Sequence, residues 1–304
     1  MALQNVVWKA LELFSHPPEQ QDIRNNRAFS AELSHLIHLL SGLQLTDLRL
    51  TPEKMEWLKS AGHAPVWYMS IVDAQDDQML DSEDEDQEDE KDANNDESSL
   101  EKAPASVMTV AAFAVKPGAR LPIHDHPKMY GLLKVVHGEA TVQSYSSVRC
   151  LAGTPPEGHS MPQLMAEKHE VTVVTARSDP LLLHKNHQDI HEIVNNSETT
   201  VCLFIDILSP PYHFRLPDSS DTRHGHRYIT YYRELGPASP AVCPTGADKV
   251  YVILEGIKCP KEYKTQHIAY TGPSLIKEQA THQRERNAVA MMNEGGMNEE
   301  ALEK

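Results

Sequence analysis

The sequence predicts a mainly β protein, a sandwich or jelly-roll barrel with helices packed on its outside. Short segments rich in β-branched and aromatic residues recur from about Ala64 to Leu254, punctuated by Gly and Pro, and many short strands at that spacing mark a sandwich or jelly roll. Helical periodicity is confined to the first sixty or so positions. A hydrophobic share of 40% over 304 residues is enough to bury a sizeable core.

Two helical patterns open the chain. Val7, Ala10, Leu11 and Phe14 recur at helical spacing; so do Phe29, Leu33, Leu36, Ile37 and Leu40, with Ser30 as a cap and Pro17-Pro18 between the two patterns. The segment 1–60 is therefore expected as helices lying outside a main domain at 61–272. Strands are expected at 64–72, 106–115, 132–136, 140–145, 170–176, 190–194, 199–208 and 249–254, and no internal repeat interrupts them. The last stretch, 275–304, is charged and rich in Met, Asn and Gln, and is expected as a frayed helix or tail.

The formal net charge of −16 is concentrated in one place. Residues 73–101 hold fifteen Asp or Glu and one lysine, Lys91, so the remainder is close to neutral. That balance argues against nucleic acid or an anionic membrane as a partner of the folded part. The acidic stretch has almost no aliphatic residues and cannot offset its ordering entropy. It is expected as a disordered insertion, 73–104, between two strands. No apolar run is long enough to span a bilayer, and no basic-then-apolar leader opens the chain. Cys150, Cys202, Cys243 and Cys259 show no CxxC spacing. Reduced thiols in the cytoplasm or nucleus, and a monomer, are the expectation.

The chemistry is concentrated in histidines. His124-Asp125-His126 lies in 117–127, and His191 lies in 186–195. In an extended strand, positions i and i+2 share a face, so His124 and His126 converge while Asp125 points away. A third imidazole from a distant strand, His191, completes one face of a coordination sphere. This suggests a metal site inside a β-barrel, of the oxygen-using iron kind. His187, four residues before His191, is the rival third ligand. The residues also fit two other readings: a three-histidine zinc hydrolase or lyase, and a barrel serving as a non-catalytic binding module.

These segments resemble the two cupin motifs. Gly118, His124, His126 and Gly138 match G-x5-H-x-H-x4-E-x6-G, with Gly131 at its Glu position, and His191 and Asn195 match the H-x3-N that ends the second motif. The resemblance implies a cupin-type jelly-roll β-barrel that keeps three histidines and lacks the carboxylate ligand. Without that carboxylate, a bound divalent metal keeps its full charge and suits an anionic thiolate.

His-Asp-His-Pro followed by x-Met-x-Gly-x-Leu-Lys-Val, then Asp-Ile-Leu-x-Pro-Pro-Tyr at 206–212, is similar to the thiol dioxygenases acting on cysteamine and on N-terminal cysteines of proteins. Tyr231-Tyr232-Arg233 extends the match. The resemblance implies Fe(2+) held by His124, His126 and His191, dioxygen as co-substrate, and a small thiol or cysteine-initiated peptide oxidised to a sulfinic acid. It further implies Asp206 as a pocket acid orienting the substrate amine, with Tyr212 and Tyr231 beside it. Some cysteamine dioxygenases have Cys-x-Tyr where this chain has Ile229-Thr230-Tyr231. Tyr231 is therefore expected as a free phenol, with Cys243 and Cys259 lying beyond its strand.

Overall fold

The computed structural model of this chain describes residues 2–15, 26–72, 107–151, 163–185, 187–212, 228–239, 243, 249–272 and 275. The insertion expected at 73–104 and, Leu275 apart, the tail expected at 275–304 lie outside the described residues.

Helices α1 (Ala2–Phe14), α2 (Arg27–Ser41) and α3 (Pro52–Ser60) precede the first strand, with a 3-10 turn at Leu45–Leu48. Helix α1 buries Leu3, Val6, Val7, Ala10, Leu13 and Phe14, and α2 buries Phe29, Leu33, Leu36 and Leu40. These are the apolar stripes of amphipathic helices. The cap of α2 is Asn26 rather than Ser30: its side chain accepts the Phe29 N–H at 3.0 Å. Starting one turn earlier places Phe29 on the buried stripe. Helix α3 has no counterpart in the sequence reading. It buries only Met55 and Leu58, and its start is fixed by the Thr51 cap and Pro52. Among the described residues no helix is long and apolar enough to cross a membrane.

The strands form two sheets. One contains β1 (Val66–Val72), β2 (Thr109–Val115), β4 (Tyr130–His137), β8 (Leu181–Leu183), β10 (Cys202–Ser209) and β13 (Thr265–His267), in the order β13-β1-β2-β10-β4-β8. The other contains β3 (Arg120–Asp125), β5 (Glu139–Cys150), β6 (Gln163–Lys168), β7 (Thr172–Thr175), β9 (Ile190–Val194), β11 (Tyr231–Pro237) and β12 (Val250–Ile257), in the order β6-β12-β11-β3-β9-β5-β7. Because β6 also pairs with β5, six strands of this sheet close into a ring.

Three apolar layers hold the sheets together. The helices cover the outer face of the first sheet, where Leu203, Ile205 and Ile207 of β10 meet α1 and α2. The opposite face of β10 sends Cys202 and Phe204 into a core shared with Leu121, Val142 and Ile193 of the second sheet. Both faces of β10 are thus buried, so it reads as an apolar run rather than an alternation. The third layer fills the closed ring, and every strand of the ring contributes to it, through Ile123, Tyr145, Leu164, Ile190, Tyr232 and Leu254 among others. Leu36 is fully buried in the helical layer, and truncating such a residue to Ala costs about 2–5 kcal/mol. The architecture is a cupin-type barrel with helices outside, and its middle layer leads to the histidines.

Candidate metal centre

His124 and His191 stand directly opposite each other in the antiparallel β3–β9 pair. The next strand on the other side places Tyr231 opposite His124. The register of β3 slips between Leu121 and His124. Simple alternation from Leu121 would turn His124 toward the closed ring, whereas the slip returns it to the inner core beside Leu121. His126 follows the end of β3, anchored by its N–H to the Asp189 carbonyl at 2.8 Å. The three rings lie 4.7 to 4.9 Å apart, centroid to centroid, all strongly tilted. All three residues are buried, and one nitrogen of each lies within 4.8 Å of the others.

Hydrogen bonds fix which nitrogen is free in two of the three rings. His124 Nδ1 faces the Pro122 carbonyl at 2.8 Å; a carbonyl only accepts, so Nδ1 carries the proton and Nε2 keeps its lone pair. Tyr212 Oη lies 2.6 Å from the Asp125 carbonyl and 2.8 Å from His126 Nδ1. The phenol has one proton and donates it to the carbonyl, so His126 Nδ1–H donates to Tyr212 Oη. His126 Nε2 is left bare, 3.2 Å from His191 Nε2. Burial pulls His124 down to about 4 and holds His126 and His191 well below the usual imidazole range. Three neutral imidazoles that bring a nitrogen each to one point fit a divalent transition metal with positions left open.

Those histidines line a small cavity of about 80 Å³ with Phe113, Phe204 and Ile193. Asp206 faces into it from β10, its Oδ1 buried without a hydrogen-bond partner, and burial pushes its carboxyl up to about 7. An unpaired buried carboxylate oxygen costs free energy unless a ligand meets it. Tyr212 and Tyr231 also line the cavity. Burial raises both phenols well above their usual range, so both stay protonated.

Gly131 accounts for the missing carboxylate. It shares the inward face of β4 with Leu133 and Val135, and a Cβ there would lie 2.7 Å from Leu183 Cγ on β8. Leu183 fills the space a glutamate would cross. Asn195 ties β9 to β2, its amide donating to the Val115 and Thr200 carbonyls. His187 stacks on His184 at 4.8 Å and is not in the cluster.

Two relationships were not legible from residue spacing. Asp125 points away from the histidine face, as expected, but it is not idle: it accepts from the Thr230 N–H at 2.7 Å and the Tyr232 hydroxyl at 3.0 Å. It thereby locks β3 to β11 beside the site. Cys259 corrects the expectation that both later cysteines lie away from Tyr231. Because β12 runs antiparallel to β11 with Ile257 opposite Tyr231, the chain returns to the same end, and the Cys259 thiol comes within hydrogen-bonding reach of the Tyr231 phenol.

Residues 39–275 match the PCO_ADO family model. The chain is 31% identical over 225 residues to a mouse protein named 2-aminoethanethiol dioxygenase, covering 70% of this chain and 72% of that one. It is 26% identical over 234 residues to a human protein of the same name, covering 72% and 71%. A Dictyostelium discoideum protein named probable 2-aminoethanethiol dioxygenase is 28% identical over 128 residues, 41% of this chain and 50% of that one.

Proposed function

Because this chain belongs to the PCO_ADO family, we propose that it is an iron(II)-dependent thiol dioxygenase acting on cysteamine, on the N-terminal cysteine of peptides, or on both. The reaction adds both atoms of dioxygen to the thiol, RSH + O2 → RSO2H, so no further reductant is needed. One observation carries the reading: three neutral imidazoles and one unpartnered carboxylate oxygen converge on the same small cavity.

His124, His126 and His191 would hold the metal through Nε2, each oriented by its own strand or loop. Iron(II) bound there supplies the one-electron chemistry that dioxygen requires and, as an uncompensated dication, favours a thiolate over a thiol. Asp206 Oδ1 accepts from the substrate ammonium and so fixes the carbon chain that carries sulfur. Phe113, Phe204 and Ile193 keep water from the reacting sulfur. Tyr231, protonated beside His124, can donate a hydrogen bond toward the reacting oxygen.

The pairing of Asp206 with the histidines explains why an amine two carbons from sulfur would be required. Cysteamine and an N-terminal cysteine share that unit; glutathione and an internal cysteine do not. Oxygen uptake with each thiol, alongside metal analysis of protein purified without added metal, tests the proposal. Iron in the protein and turnover restricted to the amine-bearing thiols are expected. Zinc with no oxygen uptake would favour a hydrolase or lyase, and equal turnover of glutathione would remove Asp206 from substrate recognition.

A further inference from the structure

We propose that the cleft between β3 and β11 is a peptide subsite, in which the backbone following an N-terminal cysteine lies extended along the free edge of β11. The proposal rests on the thiol dioxygenase reading of the adjoining metal pocket. The cleft exists because β3 and β11 meet in register at one pair, His124 and Tyr231. Beyond that pair β11 follows β12 and β3 follows β9, and the two strands part.

The space they leave measures about 570 Å³, within the roughly 300–1,000 Å³ range of pockets that take drug-sized ligands. The metal pocket, at about 80 Å³, has room for a two-carbon aminothiol and little more. Any longer substrate must leave it. Pro122 and Tyr263 line both spaces, and the Tyr263 ring lies 5.9 Å from that of Tyr231. The cleft therefore begins where the metal pocket ends.

Its walls favour a main chain over an ionic ligand. From Tyr232 onward β11 pairs with β12 on one edge and with no described strand on the other. That leaves a row of backbone donors and acceptors of the kind an extended peptide completes. Four of the five charged side chains that line it already have counter-ions: Arg120 bonds Glu192 at 3.2 Å, Arg233 bonds Glu255 at 2.5 Å, and Glu234 is held by Lys168 at 2.9 Å, with Glu262 the exception among the described residues. An uncharged backbone can enter without breaking an ion pair.

The test compares cysteamine, a Cys-Ala dipeptide, a Cys-Ala-Ala-Ala amide and the same tetrapeptide N-methylated at its third residue, all on the full-length protein. Efficiency, kcat/KM, is expected to rise about tenfold from dipeptide to tetrapeptide and to fall back on methylation, as one or two backbone hydrogen bonds would give. Ala119→Trp, which narrows the cleft, should lower the tetrapeptide's kcat/KM without a matching loss for cysteamine. A serine-initiated tetrapeptide with a photoreactive third residue, added to metal-free protein, should crosslink to 232–234 or 120–123. Equal efficiency for dipeptide, tetrapeptide and methylated tetrapeptide, or crosslinks elsewhere, would overturn the subsite whatever the turnover of cysteamine. Crosslinks on β11 from a protein that oxidises no thiol would spare the subsite and sink the dioxygenase reading.

Discussion

The Tyr212 hydroxyl joins a metal-facing ring to the backbone beside it: its oxygen lies 2.8 Å from His126 Nδ1 and 2.6 Å from the carbonyl of Asp125. Tyr212→Phe would leave both partners buried and unmatched, at a cost of about 1–3 kcal/mol. It would also free the His126 ring to change tautomer, and losing such an outer-shell partner weakens metal binding about 10–100-fold. A chelator competition on the purified variant measures this. Tyr231→Phe, by contrast, removes a hydroxyl that orients none of the three imidazoles, so it should slow turnover while metal affinity stays at the wild-type value. Equal metal affinity in both variants would show that Tyr212 only packs.

Substituting His124, His126 or His191 by Ala should abolish metal retention and oxygen uptake. No glutamate stands at the Gly131 position to compensate for a lost ligand, because Leu183 occupies the space beside it. His187→Ala should be silent in both measurements, since that ring stacks on His184 outside the cluster. Metal content after gel filtration decides the matter. A His187 variant that loses metal would place the third ligand wrongly.

Asp206 ties substrate recognition to a stability cost. Burial raises its carboxyl from 3.8 to about 7, so the folded, metal-free protein holds more protons than the unfolded chain between those values. Stability therefore falls as pH rises through that window, by roughly 4 kcal/mol at most. Asp206→Asn removes the titration. Its melting temperature relative to wild type should climb between about pH 4 and pH 7, while KM for cysteamine rises. A constant difference across that range would mean that Asp206 is already paired or solvated in the apo protein.

Many strand positions were legible because periodicity and punctuation report them: 190–194 is β9 to the residue, and 132–136 lies inside β4, whereas β6 and the three-residue strands β8 and β13 had no expected counterpart. The His124–His126 pair was legible because HxH needs only the two-residue repeat of an extended chain, whereas His191 was joined to it by the resemblance of His191 and Asn195 to H-x3-N. What spacing could not show depends on pairing between distant strands. The slip after Leu121 that turns His124 inward is invisible without β9. So is the return of Cys259 to Tyr231, which follows from the register of β12. Helix α3 escaped because only two of its side chains are buried, too few for an apolar stripe. Tyr212 could be placed in the pocket by resemblance, but its grip on His126 requires the Asp125 carbonyl as a second partner.

Deleting 76–100 should leave folding, metal retention and turnover of cysteamine intact. The segment it shortens connects β1 to β2, which are antiparallel neighbours with Val72 opposite Val110; a short loop suffices to join them. Loop closure costs about 0.6 kcal/mol per doubling of length, so removing some two-thirds of the connection should stabilise the protein by about 1 kcal/mol. The β2 end of the connection lies near the site, since Thr109 pairs with Leu208, a residue of the metal pocket. Thermal melting and metal analysis of the deletion variant therefore read two different things. A large drop in melting temperature would show that the acidic stretch packs on the barrel. Unchanged stability with lost turnover of basic peptides alone would show instead that its charge draws cationic substrates to the pocket.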